Sequence, residues 1–171
     1  VKDFITKGSV KDLKVELLSN LILQVTDLSF FADKNDILFK NIFGFLDDIK
    51  ISKGDIKLNL ENGININSNF NSNINFNKKI IEKYTNFHKK YNVLKYVKNL
   101  KADLNNSFSI EFDDTYKVKD YSYTVSGIIE KIKFELSSPI KNDFVSEKIS
   151  NIYLTDLKVR SAFKPKNIKV S

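Results

Sequence analysis

From position 65 to 77 every odd residue is Asn, and the even residues between 64 and 76 are Ile, Phe or Ser. Side chains of a β-strand point alternately to opposite faces. The run therefore reads as one strand with Ile64, Ile66, Phe70, Ile74 and Phe76 on an apolar face and the amides on a wet one. At about 3.3 Å per residue such a strand spans about 45 Å, well beyond the usual five or six residues. An apolar stripe of that length needs a cover, and most of what the sequence says about function follows from that need.

The same period of two recurs elsewhere. Leu13, Val15 and Leu17, then Leu21, Leu23 and Val25, alternate with polar residues around a Ser19-Asn20 turn or bulge, and Asp27 to Phe31 adds a short strand. Asp33 to Asp36 and Lys53-Gly54 carry turn-forming residues. Ile56, Leu58 and Leu60 alternate up to Asn62-Gly63, a strong hairpin signal, so residues 55–77 are expected to form a hairpin. Further strands are expected at 108–112, 121–126, 128–136 and 151–163, the last two separated by Ser137-Ser138-Pro139. Nine to eleven strands result. Scarce Ala and plentiful Ile, Phe, Tyr and Val agree with a mainly β chain.

After Asn77 the period changes. Ile80, Ile81, Tyr84, Phe87, Tyr91, Leu94 and Val97 recur at three- and four-residue spacing, which predicts one amphipathic helix near residues 78–98 with Asn77 as its N-cap and a break near Asn92. The net charge of +7 belongs to this stretch: residues 78–101 hold eight Lys and one acid, Glu82, while the rest of the chain balances at 20 of each sign. An electrostatic partner would have to meet that segment.

The composition also excludes chemistry. With no Cys there is neither a disulfide nor a thiolate metal site. The single His, His88, lies among cations, where neither a metal nor a catalytic triad is expected. Asp47-Asp48 and Asp113-Asp114 read as turns, and neither a Gly-rich phosphate loop nor a nucleophile elbow occurs. No catalysis, metal or cofactor is expected. A length of 171 residues without a linker-like stretch suits one β-rich domain spanning 1–171. The absence of Met suggests a segment of a longer protein whose targeting sequence or anchor lies outside it.

Two regions echo one another. Gly8-Ser-Val10-Lys-Asp-Leu13-Lys14-Val15-Glu16-Leu17 aligns with Gly127-Ile-Ile129-Glu-Lys-Ile132-Lys133-Phe134-Glu135-Leu136, and Val25-Thr26-Asp27-Leu28 with Leu154-Thr155-Asp156-Leu157. Strand arrays that recur suggest an extended β structure growing by repetition. This rhythm, followed by Gly44 and by Ile51, Gly54, Ile56 and Leu58, resembles the AsmA-like proteins of Gram-negative bacteria, the group containing AsmA, TamB and YhdP. The likeness covers residues 8–77 best, recurs weakly in 127–170, and does not extend to the helix. It implies a periplasmic protein, anchored in the inner membrane by a segment outside this chain. Its curved antiparallel sheet would form a β-groove that carries phospholipid and serves outer membrane biogenesis.

On that reading the groove wall comprises Ile56, Leu58, Leu60, Ile64, Ile66, Phe70, Ile74 and Phe76, joined by Phe108, Ile110, Phe112, Ile132, Phe134 and Leu136. The alternative is a closed core in which these residues pack under the helix, as in a structural or adhesive β-domain of a surface protein. The Asn row reads as a solvated back, because no other segment repeats it. Lys78, Lys79, Lys83, Lys89, Lys90, Lys95 and Lys98 form either a solvated helix face or a surface for anionic headgroups. Nucleic acid is not an expected partner, since no binding motif accompanies the charge and Arg occurs once.

Overall fold

Alternation of apolar and polar residues runs through nearly the whole chain, and the chain folds as one sheet. The computed structural model describes residues 4–16, 22–61, 63–85, 95–142, 145–164 and 167–170. The strands are β1 (Thr6–Glu16), β2 (Ile22–Ala32), β3 (Asp36–Leu46), β4 (Ile49–Asn59) and β5 (Ile64–Asn77), then β6 (Val97–Phe112), β7 (Val118–Asn142), β8 (Val145–Lys164) and β9 (Asn167–Val170). A helix, α1 (Lys78–Thr85), follows β5. Each strand pairs antiparallel with the next in sequence order, so the described residues form a single nine-stranded meander. The mainly β, open antiparallel sheet is the fold class that the alternation implies.

The turns fall where their chemistry asks for them. Asp33 Oδ1 accepts from the amides of Asn35 (2.9 Å) and Asp36 (2.8 Å), closing β2 onto β3. Asp47-Asp48 closes β3 onto β4, and Gly63, at φ +86°, closes β4 onto β5. Asp113 Oδ1 takes the amides of Thr115 (2.8 Å) and Lys117 (3.1 Å) and the Thr115 hydroxyl (2.7 Å) at the β6–β7 turn. The Thr115 hydroxyl, then the backbone amides, hold the Asp113 carboxyl below its usual 3.8. A carboxyl depressed in the fold stabilises it above 3.8 and loses that contribution as pH falls through the folded value. The amide NMR shifts of Thr115 and Lys117 are therefore expected to titrate with a midpoint below 3.8.

Several expected breaks are continuous strand. Asp27 to Phe31 belongs to β2, and Gly127 and Ser137-Ser138-Pro139 both lie inside β7. Gly127 is there for close approach rather than for a turn. At φ +154° it leaves no room for a Cβ, which would overlap the Asp103 carbonyl oxygen of β6. Pro139 sits where pairing with β8 is interrupted, between Glu135 and Ile140, so its missing N–H breaks no regular ladder. The Ser19-Asn20 turn lies outside the described residues.

Strand curvature comes from one recurring device. In β1, β3, β4 and β8 a single residue, Asp12, Asn41, Lys53 or Asp156, has φ between 53° and 56° in mid-strand. Each stands third in a four-residue unit whose outer members point the same way: Val10-Lys-Asp-Leu13, Phe39-Lys-Asn-Ile42, Ile51-Ser-Lys-Gly54 and Leu154-Thr-Asp-Leu157. Val25-Thr-Asp-Leu28 in β2 and Ile129-Glu-Lys-Ile132 in β7 have the same form and coincide with register shifts. These are β-bulges, whose extra residue bends a strand and increases its twist. The units matched as an internal repeat are bulge sites. β5 and β6, by contrast, pair over fourteen residues, Ile64↔Phe112 to Asn77↔Asn99, without a shift.

All the buried strand residues lie on one side, the inner face. Val25, Leu28 and Ile42 form one core cluster, flanked by Val10, Leu23, Phe30, Phe39 and Ile56. Phe76, Val97 and Ile81 of α1 form a second, flanked by Ile49, Ile74, Leu100, Ile132 and Phe134. The accessible surface is 12694 Å², against about 8,600 Å² for a compact monomer of this mass. The difference is an open sheet.

Of the helix expected near residues 78–98, the described residues show α1 at Lys78–Thr85, whereas Lys95 and Tyr96 form a 3₁₀ turn and Val97 and Lys98 already belong to β6. Apolar spacing does not exclude Val97 from a strand, and pairing of Val97 with Phe134 wins. Phe87, Tyr91 and Leu94 lie outside the described residues. The N-cap is as expected: Asn77 Oδ1 accepts from the Ile80 amide at 3.1 Å. Asn77→Ala is expected to lower stability by about 1 kcal/mol, read from a denaturant midpoint.

Candidate functional site

The bulges and the alternation leave one largely apolar inner face running across β1 to β8. Cross-strand pairing lets its members be followed. One row runs from Leu58 to its partner Ile66 and on to Ile110; the next runs from Phe39 to Ile56 and on to Ser68. Farther along, Leu100 pairs with Ile132 and Ile132 with Leu154. Between β1 and β5 the face encloses an apolar hollow of about 380 Å³, lined among others by Leu13, Val25, Phe39, Ile42, Ile56 and Phe70.

Twelve of the expected wall residues share this face: Ile56, Leu58, Ile64, Ile66, Phe70, Ile74, Phe76, Phe108, Ile110, Phe112, Ile132 and Phe134. Six of them fall into two groups. Ile56 and Phe70 line the open hollow, whereas Phe76, Ile74, Ile132 and Phe134 pack with Ile81 of α1 at the opposite strand ends. Leu60 lies just past β4, 38% exposed, its amide donating to the Asn35 carbonyl. Leu136 borders a separate surface recess with Lys95, Tyr96 and Lys98.

The contributions of β1, β2, β3 and β8 are absent from the expected wall. Leu13, Leu28, Ile42 and Leu157 look out of step in a strict period of two, because the bulge inserts one residue before each. The signal was two polar residues between apolar ones, the second usually Asp, Asn or Lys.

The inner face is not apolar throughout. Ser72 and Asn106, 6% and 5% exposed, are its buried polar side chains. Asn106 Nδ2 lies 2.9 Å from Ser72 Oγ, 3.2 Å from the Phe70 carbonyl and 3.3 Å from that of Leu104, and Asn106 Oδ1 accepts from the Tyr123 hydroxyl at 2.6 Å. The Tyr123 ring stacks on Phe163 with centroids 5.9 Å apart. Burial pushes the Tyr123 phenol above its ordinary range, so it stays a neutral donor at physiological pH.

Among the described residues the lysines do not form one surface. Lys83 bridges to Asp47 (3.3 Å) and Asp48 (3.1 Å), tying α1 to the β3–β4 turn, and the bond to Asp48 raises its pKa. Lys78 lies 4.0 Å from Glu82 and Lys98 4.0 Å from Glu135, exposed pairs worth little. Lys95 lies over the Tyr96 ring, Lys79 is exposed, and Lys89 and Lys90 are outside the described residues. Lys95 and Lys98 are off the helix, so the basic helix face reduces to Lys78, Lys79 and Lys83 among the described residues.

The Asn row faces outward and continues across its neighbours, with Asn71 opposite Asn105, Asn69 opposite Ser107, and Ser107 opposite Thr124. The structure thus extends a row that the sequence shows only once, using mixed amides and hydroxyls. Among the described residues no group of acids and His is placed to hold a metal ion, and no helix is long and apolar enough to cross a membrane. Compared with protein-family models, curated proteins and solved structures, the chain matches none.

Proposed function

We propose that this chain binds phospholipid acyl chains along its inner face, as a non-catalytic segment of an AsmA-like periplasmic protein anchored to the inner membrane elsewhere. The observation that carries the reading is the apolar hollow between β1 and β5, which no described residue fills, α1 packing instead at the ends of β4 to β7. A closed structural or adhesive domain would bury that side instead. The acyl chain supplies the missing cover. Each buried CH₂ contributes about 0.8 kcal/mol, so a sixteen-carbon tail gains on the order of 10 kcal/mol before association costs of several kcal/mol. Hydrophobic transfer of this kind needs no charged site and no covalent step.

Native mass spectrometry of the protein after mild extraction tests the proposal. Co-purifying phospholipid, and uptake of a fluorescent fatty acid by the delipidated protein, are expected. Bare protein that takes up no fatty acid would leave the structural reading in its place.

A further inference from the structure

Ser68, Ser72, Asn106 and Tyr123 lie at mid-strand on the inner face of β5, β6 and β7, where the open hollow ends. We propose that this polar belt is a specificity site for an uncharged ester or hydroxyl group of an amphiphile whose tail fills the hollow, a proposal that rests on the lipid-groove reading.

Hydrogen-bond capacity supports it. Asn106 spends its amide on Ser72, Phe70 and Leu104 and its oxygen on Tyr123, which orients the Tyr123 hydroxyl and leaves the Ser72 hydroxyl proton free. Ser72 accepts from Asn106, yet no described residue accepts from its hydroxyl, although the side chain is more than nine-tenths buried. A buried donor without an acceptor costs free energy that a ligand carbonyl would recover. The Ser68 hydroxyl lines the hollow and is likewise unmatched among the described residues. Tyr123 donates to Asn106 and keeps lone pairs for a ligand hydroxyl.

Charge selects the class. The side chains of the belt are two serines, an asparagine and a tyrosine, with no cation among them, and the pairs flanking it on this face are Ile66↔Ile110 and Ile74↔Ala102. An anionic phosphate there would be desolvated without a counter-ion, whereas an ester or alcohol would not. The headgroup of a diacyl phospholipid would then lie outside the belt, with an acyl ester linkage seated on it.

The test is competition between methyl laurate and tetradecane, its all-carbon isostere, each delivered from cyclodextrin against a bound fluorescent fatty acid. The intact protein is expected to favour the ester by about fivefold, the worth of one net hydrogen bond. Ser72→Ala, which removes the hydroxyl left to donate to the ester carbonyl, is expected to erase that preference, and Ser68→Ala, at the other unmatched hydroxyl, to reduce it. Equal competition by both compounds in the intact protein, or an equal loss of both in the variants, overturns the belt as a specificity site. Failure of both to compete in the intact protein overturns the groove reading itself.

Discussion

Gly44→Ala is expected to destabilise the protein by about 3 kcal/mol or more, the upper end of what overpacking and backbone displacement cost. Gly44 pairs with Val25 on one side and Ile51 on the other, both at the floor of the inner face and 2% and 9% exposed. A Cβ at residue 44 would overlap the Gln24 carbonyl oxygen and come within 3.0 Å of the Val25 Cα. Those are backbone atoms of a paired strand, so relief requires β2 and β3 to separate. Gly8→Ala is the control: its Cβ would meet the Phe30 ring at 2.8 Å, a side chain able to turn aside. Urea unfolding should show a large fall in midpoint for Gly44→Ala and a small one for Gly8→Ala. Equal midpoints for the two variants would show that β2 and β3 do not approach as described.

Ile56→Asp is expected to weaken fatty-acid binding at neutral pH by at least about a hundredfold, since a carboxylate facing an acyl chain forfeits several kcal/mol of hydration. Ile56 lines the hollow from β4 and pairs with Phe39 and Ser68. The outer-face substitution Lys57→Asp, next along the same strand, should leave binding unchanged, although it removes the Lys57 contact with Asp36 at 3.0 Å. Fluorescence titration with a labelled fatty acid separates the two, and circular dichroism of both variants verifies the sheet. Undiminished binding by folded Ile56→Asp would place the acyl chain elsewhere.

How much of this was legible beforehand follows from what each residue's neighbours are. The turn and the β5 half of the hairpin were readable, because the alternation and the turn glycine are both local, but Lys53-Gly54, read as a turn, is a bulge inside β4, which begins at Ile49. The turns at Asp47 and Asp113, and the N-cap at Asn77, were readable too. The polar belt was not. Ser68 and Ser72 are small interruptions in an apolar row, and Asn106 and Tyr123 become their companions only when β6 and β7 come alongside. The wall residues of β1 to β3 were missed for a different reason: a bulge shifts the parity, so a strict period of two assigns the residues beyond it to the wrong face. The repeat of apolar-Thr-Asp-Leu had marked those places without revealing that they were bends.

By itself the sequence determined that this chain is a mainly β, antiparallel structure with a greasy face and a wet one, because alternation and turn residues act over a few positions. Only the tertiary structure decided that, among the described residues, an apolar hollow lies between β1 and β5 while α1 packs at the ends of β4 to β7. That outcome depends on where six bulge units align across strands far apart in sequence.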